Sequence, residues 1–209
     1  AWASSLVVGP FVSATSSEPD SRAARASGAE RVPVIHAVTN DEIVLRADFL
    51  ERARHVMQAG GARVAVHVRA PRLGARELYH FACSIVQLQS ETGAWAIVND
   101  RADVALASGA RGVQLTSRSM PVADVVAFAS DLCVGASVHS MQDAQSSREG
   151  GARWLVAGHA TGDSTAGEID RGTGFIERLT ADSAVPVIAI GGVRPENVSR
   201  LVAAGAYGV

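Results

Sequence analysis

The chain has 209 residues, a formal net charge of −2, and 47% hydrophobic and 19% charged residues. This length suffices for one domain with a large buried core, and the nearly balanced charge gives no field that would attract nucleic acid or an anionic membrane. No apolar run approaches the roughly 20 residues of a membrane span. We therefore expect a cytoplasmic protein with no nucleic-acid partner and no membrane partner.

All 19 basic residues are arginine. The absence of lysine excludes Schiff-base chemistry, which needs a lysine amine, and it excludes a P-loop, whose lysine contacts nucleotide phosphates.

Residues 1–31 differ in composition from the rest of the chain. Residues 2–12 are mildly apolar, whereas 13–30 are rich in serine, alanine and arginine and show no periodicity. No basic segment precedes the apolar part, as it would in a signal peptide. We interpret 1–31 as a disordered N-terminal extension and 32–209 as a single barrel domain.

From Val32 onward, strand and helix patterns alternate. Short apolar runs predict strands at 33–38, 63–68, 94–98, 112–115, 132–137, 153–157, 185–190 and 206–209. Apolar residues at helical spacing predict helices at 45–58, 75–89, 102–108, 121–129, 141–149, 172–181 and 195–204. This alternation is typical of a parallel α/β fold.

Eight strand patterns favour a TIM (β/α)8 barrel over an open doubly wound sheet, and no Gly-x-Gly-x-x-Gly motif follows the first strand. Because the sequence ends at Val209, we expect the barrel to be truncated in the eighth strand and to lack the last helix. Active sites of such barrels lie at the carboxyl ends of the strands, so polar residues at those ends are the functional candidates.

Several strands end in polar residues that could bind a substrate. These candidates are His67, Arg69, Asn99, Gln114 and His159. The guanidinium donors of Arg69 match carboxylate or phosphate oxygens, although a salt bridge at the rim is an equal alternative. Asn99 and Asp100 also have the spacing of a helix N-cap. His36 lies within the first strand, and we interpret it as structural.

His139 is the sharpest catalytic candidate. It follows a buried strand and precedes Ser140, which is placed to cap the next helix. Imidazole can take and give a proton near neutral pH. A capping or surface role for His139 is the alternative.

Gly191 and Gly192 end a short, wholly apolar strand just before a helix pattern. A glycine pair there lets a phosphate approach bare backbone N–H groups, as late in a (β/α)8 barrel. The alternative is a tight turn that requires positive φ.

Seven segments form a series along the predicted barrel. They read His-Ala-Val-Thr at 36–39, Val-His-Val-Arg at 66–69, Val-Asn-Asp-Arg-Ala-Asp-Val-Ala at 98–105, Arg-Gly-Val-Gln-Leu at 111–115, Gly-Ala-Ser-Val-His-Ser at 135–140, Val-Ala-Gly-His at 156–159 and Pro-Val-Ile-Ala-Ile-Gly-Gly at 186–192. In this order they resemble the thiamine phosphate synthase/TenI superfamily.

The resemblance implies one of two enzymes. The synthase branch joins a pyrimidine diphosphate to a thiazole phosphate with Mg²⁺. Its second strand reads like Gln-Leu-Arg-Glu-Lys, and a histidine and a metal-binding aspartate follow its fourth strand. This chain has His-Val-Arg-Ala-Pro at 67–71 and Gln-Leu-Thr-Ser-Arg-Ser at 114–119, so the lysine, the histidine and the second aspartate are absent. Asp100 alone matches the metal-binding pair.

The TenI-type branch, which includes thiazole tautomerase, resembles this chain more closely at the fourth, fifth and sixth strands. The resemblance therefore implies an isomerase that needs no cofactor or metal and acts on a small phosphorylated thiazole ligand. His139 would move the proton, and Gly191 and Gly192 would hold the phosphate. The alternatives are the synthase, with Mg²⁺ at Asp100, and a non-catalytic relative that binds a phosphorylated ligand. Homo-oligomer formation is compatible with each of these.

Overall fold

The computed structural model describes residues 31–158, 173–181 and 183–209. Seven parallel strands form one sheet in chain order, each paired with the next. Their bounds are β1 Ile35–Val38, β2 Val64–Val68, β3 Trp95–Asn99, β4 Gly112–Leu115, β5 Cys133–Val138, β6 Trp154–Ala157 and β7 Val187–Ala189. The predicted parallel α/β architecture is confirmed.

Helices connect the strands. Their bounds are α1 Asp41–Val44, α2 Phe49–Gly60, α3 Ala75–Thr92, α4 Ala102–Ser108, α5 Val122–Phe128, α6 Met141–Glu149, α7 Thr173–Ala181 and α8 Pro195–Ala203. The bounds of α4 and α6 are those predicted. The first predicted helix begins four residues late, because Asn40 starts the separate turn α1 by accepting a hydrogen bond from Ile43 N at 2.8 Å.

Residues 207–209 take the place of an eighth strand. Their peptide groups make hydrogen bonds of 2.8 and 2.9 Å to β7, and of 2.9 and 2.7 Å to residues 34 and 36. The barrel is therefore TIM-like, with seven strand–helix units and an eighth unit represented by this segment alone. The predicted barrel with an incomplete eighth unit is confirmed.

Alternation along the strands separates two apolar cores. In β2, Val64, Val66 and Val68 belong to the outer core, which lies between the barrel and its helices. Ala65, between them, belongs to the inner core with Trp95 and Ile97 of β3. Inward positions therefore recur every second residue, as the pleat of a strand requires.

Two tryptophans fill the barrel interior near the amino-terminal ends of the strands. Trp95 begins β3 and Trp154 begins β6, and their rings meet edge to face with centroids 6.2 Å apart. A Cβ on Gly135 would lie 2.0 Å from the Trp154 indole, so only glycine fits at that position of β5. The polar inward residues lie beyond this layer, toward the carboxyl ends.

The predicted extension 1–31 lies outside the described residues except for Arg31, so its disorder and the domain boundary stay predictions. Among the helices of the described chain, none has the length and apolar character needed to cross a membrane.

Candidate active site

A cavity of about 320 Å³ lies at the carboxyl ends of the strands. Its lining residues are His36, Val38, His67, Arg69, Asn99, Gln114, Thr116, Ser137, Val156 and Ile190. Four predicted binding residues therefore meet in one cavity, namely His67, Arg69, Asn99 and Gln114. The cavity has the mixed polar and apolar lining expected of a small-molecule site.

Three side chains form a hydrogen-bonded chain in the cavity wall. His36 Nδ1 lies 2.8 Å from His67 Nε2, and His67 Nδ1 lies 3.2 Å from Asn99 Oδ1. His36 Nε2 lies 3.0 Å from the carbonyl oxygen of Pro33. Burial lowers the pKa of His36 from 6.5 to about 4. Burial and the neighbouring His36 lower the pKa of His67 to about 3, so the surroundings favour the neutral form of both rings.

The amide of Gln114 has a fixed orientation. The indole of Trp154 can only donate, and its Nε1–H donates to Gln114 Oε1 at 2.8 Å. The amide nitrogen of Gln114 therefore donates to Ser137 Oγ at 3.1 Å. Because the Ser137 oxygen accepts this bond, its own hydroxyl proton is free to reach a ligand.

Arg69 supplies the positive charge of the cavity wall. Its backbone N–H donates to Thr39 Oγ1 at 2.9 Å, and the same hydroxyl lies 3.0 Å from the carbonyl oxygen of His67. These bonds tie the end of β1 to the end of β2. Of the ion pairs in the described part of the chain, none involves Arg69, so its guanidinium can bind an anionic ligand.

Asp100 follows β3 with a left-handed backbone, φ 63°. The hydroxyls of Thr116 and Ser119 both donate to its Oδ1 at 2.6 Å, so the carboxylate is held beside the cavity. The expected N-cap at Asn99 and Asp100 is not formed, because Arg101 is the N-cap of α4 and makes no side-chain capping bond. Asn99 instead points into the barrel, because it lies two residues after Ile97 on the inward face of β3.

His139 lies directly after β5, at the same end of the barrel, but it does not line the cavity. It is exposed, its backbone N–H donates to Asp143 Oδ2 at 3.1 Å, and its ring lies beside Gly158. Ser140 caps α6 as expected, accepting from Asp143 N at 3.0 Å. His159 lies outside the described residues.

Gly191 and Gly192 follow β7 and also lie outside the lining of this cavity. Their φ angles of 89° and 70° confirm a turn that requires positive φ. The side chain of Asn197 in α8 donates to the carbonyl oxygen of Gly192 at 2.8 Å and stabilises this turn. Phosphate binding at the glycine pair stays a prediction.

Sequence reasoning missed His36 as a cavity residue. The alternation of side chains along a strand could have identified it. Val38 ends β1 at the cavity, and His36, two residues earlier, lies on the same face of the strand. The same rule selects Ser137 on β5, which lies two residues after the inward Gly135.

A closed parallel barrel with a polar cavity at the carboxyl ends of its strands defines the class of (β/α)-barrel proteins with a small-molecule site there. Comparisons with known proteins make the class specific. A family model described as thiamine monophosphate synthase matches residues 35–209. The chain belongs to this thiamine monophosphate synthase family, which is also the resemblance stated above.

Individual relatives agree with the family. A thiamine-phosphate synthase of Methanoculleus marisnigri is 34% identical over 175 residues, which is 82% of each chain. A thiamine-phosphate synthase of Pyrococcus abyssi is 36% identical over 151 residues, or 71% of this chain and 72% of that one. The structure of thiamine phosphate pyrophosphorylase from Pyrococcus furiosus matches with a TM-score of 0.70 at 29% identity, covering 86% of this chain and 84% of that one.

These relatives contradict the prediction of a metal-independent isomerase, which is wrong. Curated proteins 32–36% identical over most of the chain are named thiamine-phosphate synthase, so the chain is an enzyme of thiamine biosynthesis whose relatives are transferases. The prediction rested on short segments: the departures from the synthase pattern after β2 and β4 and the TenI-like residues at β4, β5 and β6. The similarity to a thiamine-phosphate synthase covers 175 residues. A catalytic role of His139 stays a prediction.

Proposed function

We propose that the chain catalyses the thiamine-phosphate synthase reaction, which joins a thiazole phosphate to a pyrimidine diphosphate. The thiazole nitrogen bonds to the methylene carbon of the pyrimidine, and the bond from that carbon to the diphosphate oxygen breaks. Both electrons of the broken bond leave with pyrophosphate. The match to a curated synthase over 82% of both chains carries the proposal.

The cavity offers groups suited to both parts of such substrates. Asn99, Gln114 and Ser137 are neutral hydrogen-bonding groups that can hold a heterocyclic ring. Arg69 can bind a phosphate through its fork of N–H donors. We assign the backbone N–H groups of the 191–192 turn to a second phosphate contact, because this position after a late barrel strand is where phosphates commonly bind.

We assign Asp100 to a magnesium ion shared with the diphosphate of the substrate. Its Oδ1 takes both hydroxyl bonds, which leaves Oδ2 for a cation. Mg²⁺ is often held by one or two carboxylates plus substrate phosphates, so one carboxylate fits a shared site. The described residues contain no group of three His, Cys, Asp or Glu that could hold a metal ion. Bound magnesium would neutralise charge on the departing pyrophosphate.

The chain departs from the synthase pattern at its cationic positions. It contains no lysine, and residues 114–119 include neither histidine nor aspartate. Arg69 is then the side-chain cation of the described cavity wall. We infer that Arg69 and a shared magnesium ion together compensate the charge of the leaving group.

The direct test mixes the purified full chain with thiazole phosphate, the pyrimidine diphosphate and Mg²⁺. We expect thiamine phosphate and an equal amount of pyrophosphate, and we expect both to disappear when a chelator removes the metal. Product no greater than in the blank without protein overturns the proposal.

Two neighbouring aspartates test the metal assignment. Asp100→Asn keeps the hydroxyl bonds but removes the charge, and we expect kcat/KM to fall about 100-fold. Asp103→Asn is the matched control, because Asp103 is exposed and pairs with Arg101 away from the cavity. We expect Asp103→Asn to keep nearly full activity, and equal losses in both variants would exclude a specific role for Asp100.

A further inference from the structure

The chain of hydrogen bonds from Pro33 through His36 and His67 to Asn99 has a carbonyl oxygen at both ends. His36 Nε2 faces Pro33 O at 3.0 Å, and His67 Nδ1 faces Asn99 Oδ1 at 3.2 Å. The two rings face each other at 2.8 Å. A carbonyl oxygen can only accept, so each end of the chain calls for a ring N–H.

Three hydrogen bonds need three protons, whereas two neutral imidazoles carry only two ring protons. The third proton can come from an added ring proton, which makes the pair a cation. It can also come from the Asn99 amide, if a half turn about its Cβ–Cγ bond brings Nδ2–H to His67.

The surroundings favour the rotated Asn99 amide over a positively charged histidine pair. His36 is 8% exposed and His67 is 1% exposed, and burial opposes a charged ring. Arg69 lies in the same cavity wall, and a second positive charge beside its guanidinium is disfavoured.

We propose that His36 and His67 are positioning residues that fix the proton order from Asn99 to Pro33, so that Asn99 presents its carbonyl oxygen to the cavity. Because Pro33 O can only accept, His36 carries its proton on Nε2. His67 then donates from Nε2 to His36, and its Nδ1 becomes an acceptor for the amide N–H of Asn99.

This order gives the cavity wall a defined pattern of donors and acceptors. Asn99 and Gln114 are partners in the register of β3 and β4. Gln114 donates to Ser137, whose hydroxyl proton can serve a ligand acceptor, whereas Asn99 offers an acceptor. A ligand group that donates to Asn99 therefore binds better than one that only accepts. This role in ligand choice rests on the proposed function, but the proton order does not.

The proton order can be read by nitrogen-15 NMR on the ligand-free full chain, labelled at histidine and held near neutral pH. We expect both buried rings to be neutral with the proton on Nε2. Loss of one set of signals in His36→Phe assigns the pair, and the exposed His55 gives a reference for a ring in water. An imidazolium ring, or a proton on Nδ1 of His67, overturns the proposal.

Asn99→Asp sharpens the test, because a carboxylate can only accept. His67 must then donate from Nδ1, and we expect an imidazolium signal at neutral pH that the wild type lacks. If the carbon-13 shift of the new carboxyl shows it ionised, an unchanged histidine spectrum in the folded variant means that residue 99 does not bond to His67, and the proposal fails. If the carboxyl is protonated, an unchanged spectrum supports the proposal, because its O–H donates to His67 Nδ1 as the amide does. If this variant does not fold, the wild-type spectrum alone decides.

Kinetics test the role in ligand choice. We expect His36→Phe to raise KM of the proposed reaction roughly tenfold, the effect of about one hydrogen bond, with kcat changed by less than about twofold. An unchanged KM overturns that role. Absence of turnover in the wild type overturns the proposed function and leaves the proton order standing. The wrong ring tautomer overturns the proton order, and with it the role in ligand choice, but not the proposed function.

Discussion

Trp154 and Gln114 show how a side chain that can only donate orients an amide inside the barrel. The indole N–H of Trp154 donates to the amide oxygen of Gln114 at 2.8 Å, so the amide nitrogen of Gln114 donates to Ser137. Gln114 is 2% exposed, so neither of its polar atoms can turn to water if the indole is lost. The hydrogen bond therefore contributes both to stability and to the shape of the cavity.

We expect Trp154→Phe to lower the free energy of unfolding by about 1–3 kcal/mol more than the loss of apolar volume alone, because the buried Gln114 oxygen loses its donor. Trp95→Phe is the matched control. Trp95 is as buried as Trp154, and its Nε1 has no hydrogen-bond partner within the described residues. Urea denaturation of both variants measures the difference, and equal losses would contradict the role of the bond.

Acid should destabilise the barrel through His36 and His67. In the unfolded chain both bind protons near pH 6.5, whereas burial holds their pKa at about 4 and 3 in the folded chain. Between pH 6.5 and the folded pKa values, the unfolded chain binds more protons than the folded chain. The stability that is present above pH 6.5 is therefore lost as the pH falls. Each histidine changes the free energy of unfolding by about 1.36 kcal/mol per pH unit, so the two together give a slope of roughly 2.7 kcal/mol per pH unit.

Urea denaturation between about pH 7 and about pH 4.5 measures this slope. His36→Phe should reduce it, because one of the two buried titrating rings is removed. His55→Gln replaces an exposed histidine and should leave the slope unchanged. A slope that is the same in all three proteins would contradict the assignment to the buried pair.

At the scale of elements, strand parity decides which residues meet. In β2 the outward valines pack under helices, and the inward positions pass from Ala65 to His67 along the strand. The same change from apolar to polar occurs in β3, from Trp95 through Ile97 to Asn99. β2 and β3 thus contribute apolar packing near their starts and polar side chains near their ends.

The pairing of β5 with β6 depends on a glycine. Gly135 is the register partner of Trp154, and a Cβ at 135 would lie 2.0 Å from the indole. We expect Gly135→Ala to cost about 3 kcal/mol or more, because the ring must move and its bond to Gln114 breaks. Thermal or urea unfolding measures this loss.

Gly74→Ala is the control for that substitution. Gly74 precedes α3 with φ −68°, and the nearest atom to an added Cβ is Glu77 Oε2 at 3.6 Å. The change should therefore alter the free energy of unfolding by less than about 1 kcal/mol. A similar loss in both variants would show that packing against Trp154 is not the cause.

At the scale of the whole barrel, the contact between β7 and β1 is made through residues 207–209. Residues 207–209 bond to β7 on one side and to residues 34 and 36 on the other. A Cβ on Gly208 would lie 2.3 Å from the carbonyl oxygen of Val34, which is backbone and cannot yield as a side chain would. The seam between β7 and β1 therefore has no room for a side chain at residue 208.

We expect Gly208→Ala to loosen this seam by about 1–3 kcal/mol. The amides of His36 and Ala189, which donate to residues 209 and 208, should exchange with solvent faster in hydrogen-exchange measurements. The amide of Val113, in the strand pairing of β4, is the internal control. Unchanged exchange at His36 and Ala189 would contradict the importance of the seam.

Much of the fold could be predicted from the sequence, because strands and helices are encoded by apolar residues that are close in the chain. The bounds of α4 and α6 and the ends of most strands followed from this local pattern. Four cavity residues followed as well, since a residue that ends a parallel barrel strand lies at the mouth. The start of α2 could not, because it depends on the separate turn α1, which begins at Asn40.

The sequence by itself determined that strand–helix units alternate and that polar residues end the strands. The tertiary structure decided which of those residues touch. His36 meets His67 across 31 residues of chain, and Trp154 meets Gln114 across 40. Such contacts depend on the register between strands and on the burial that neutralises the rings, and neither property is carried by a local stretch of sequence.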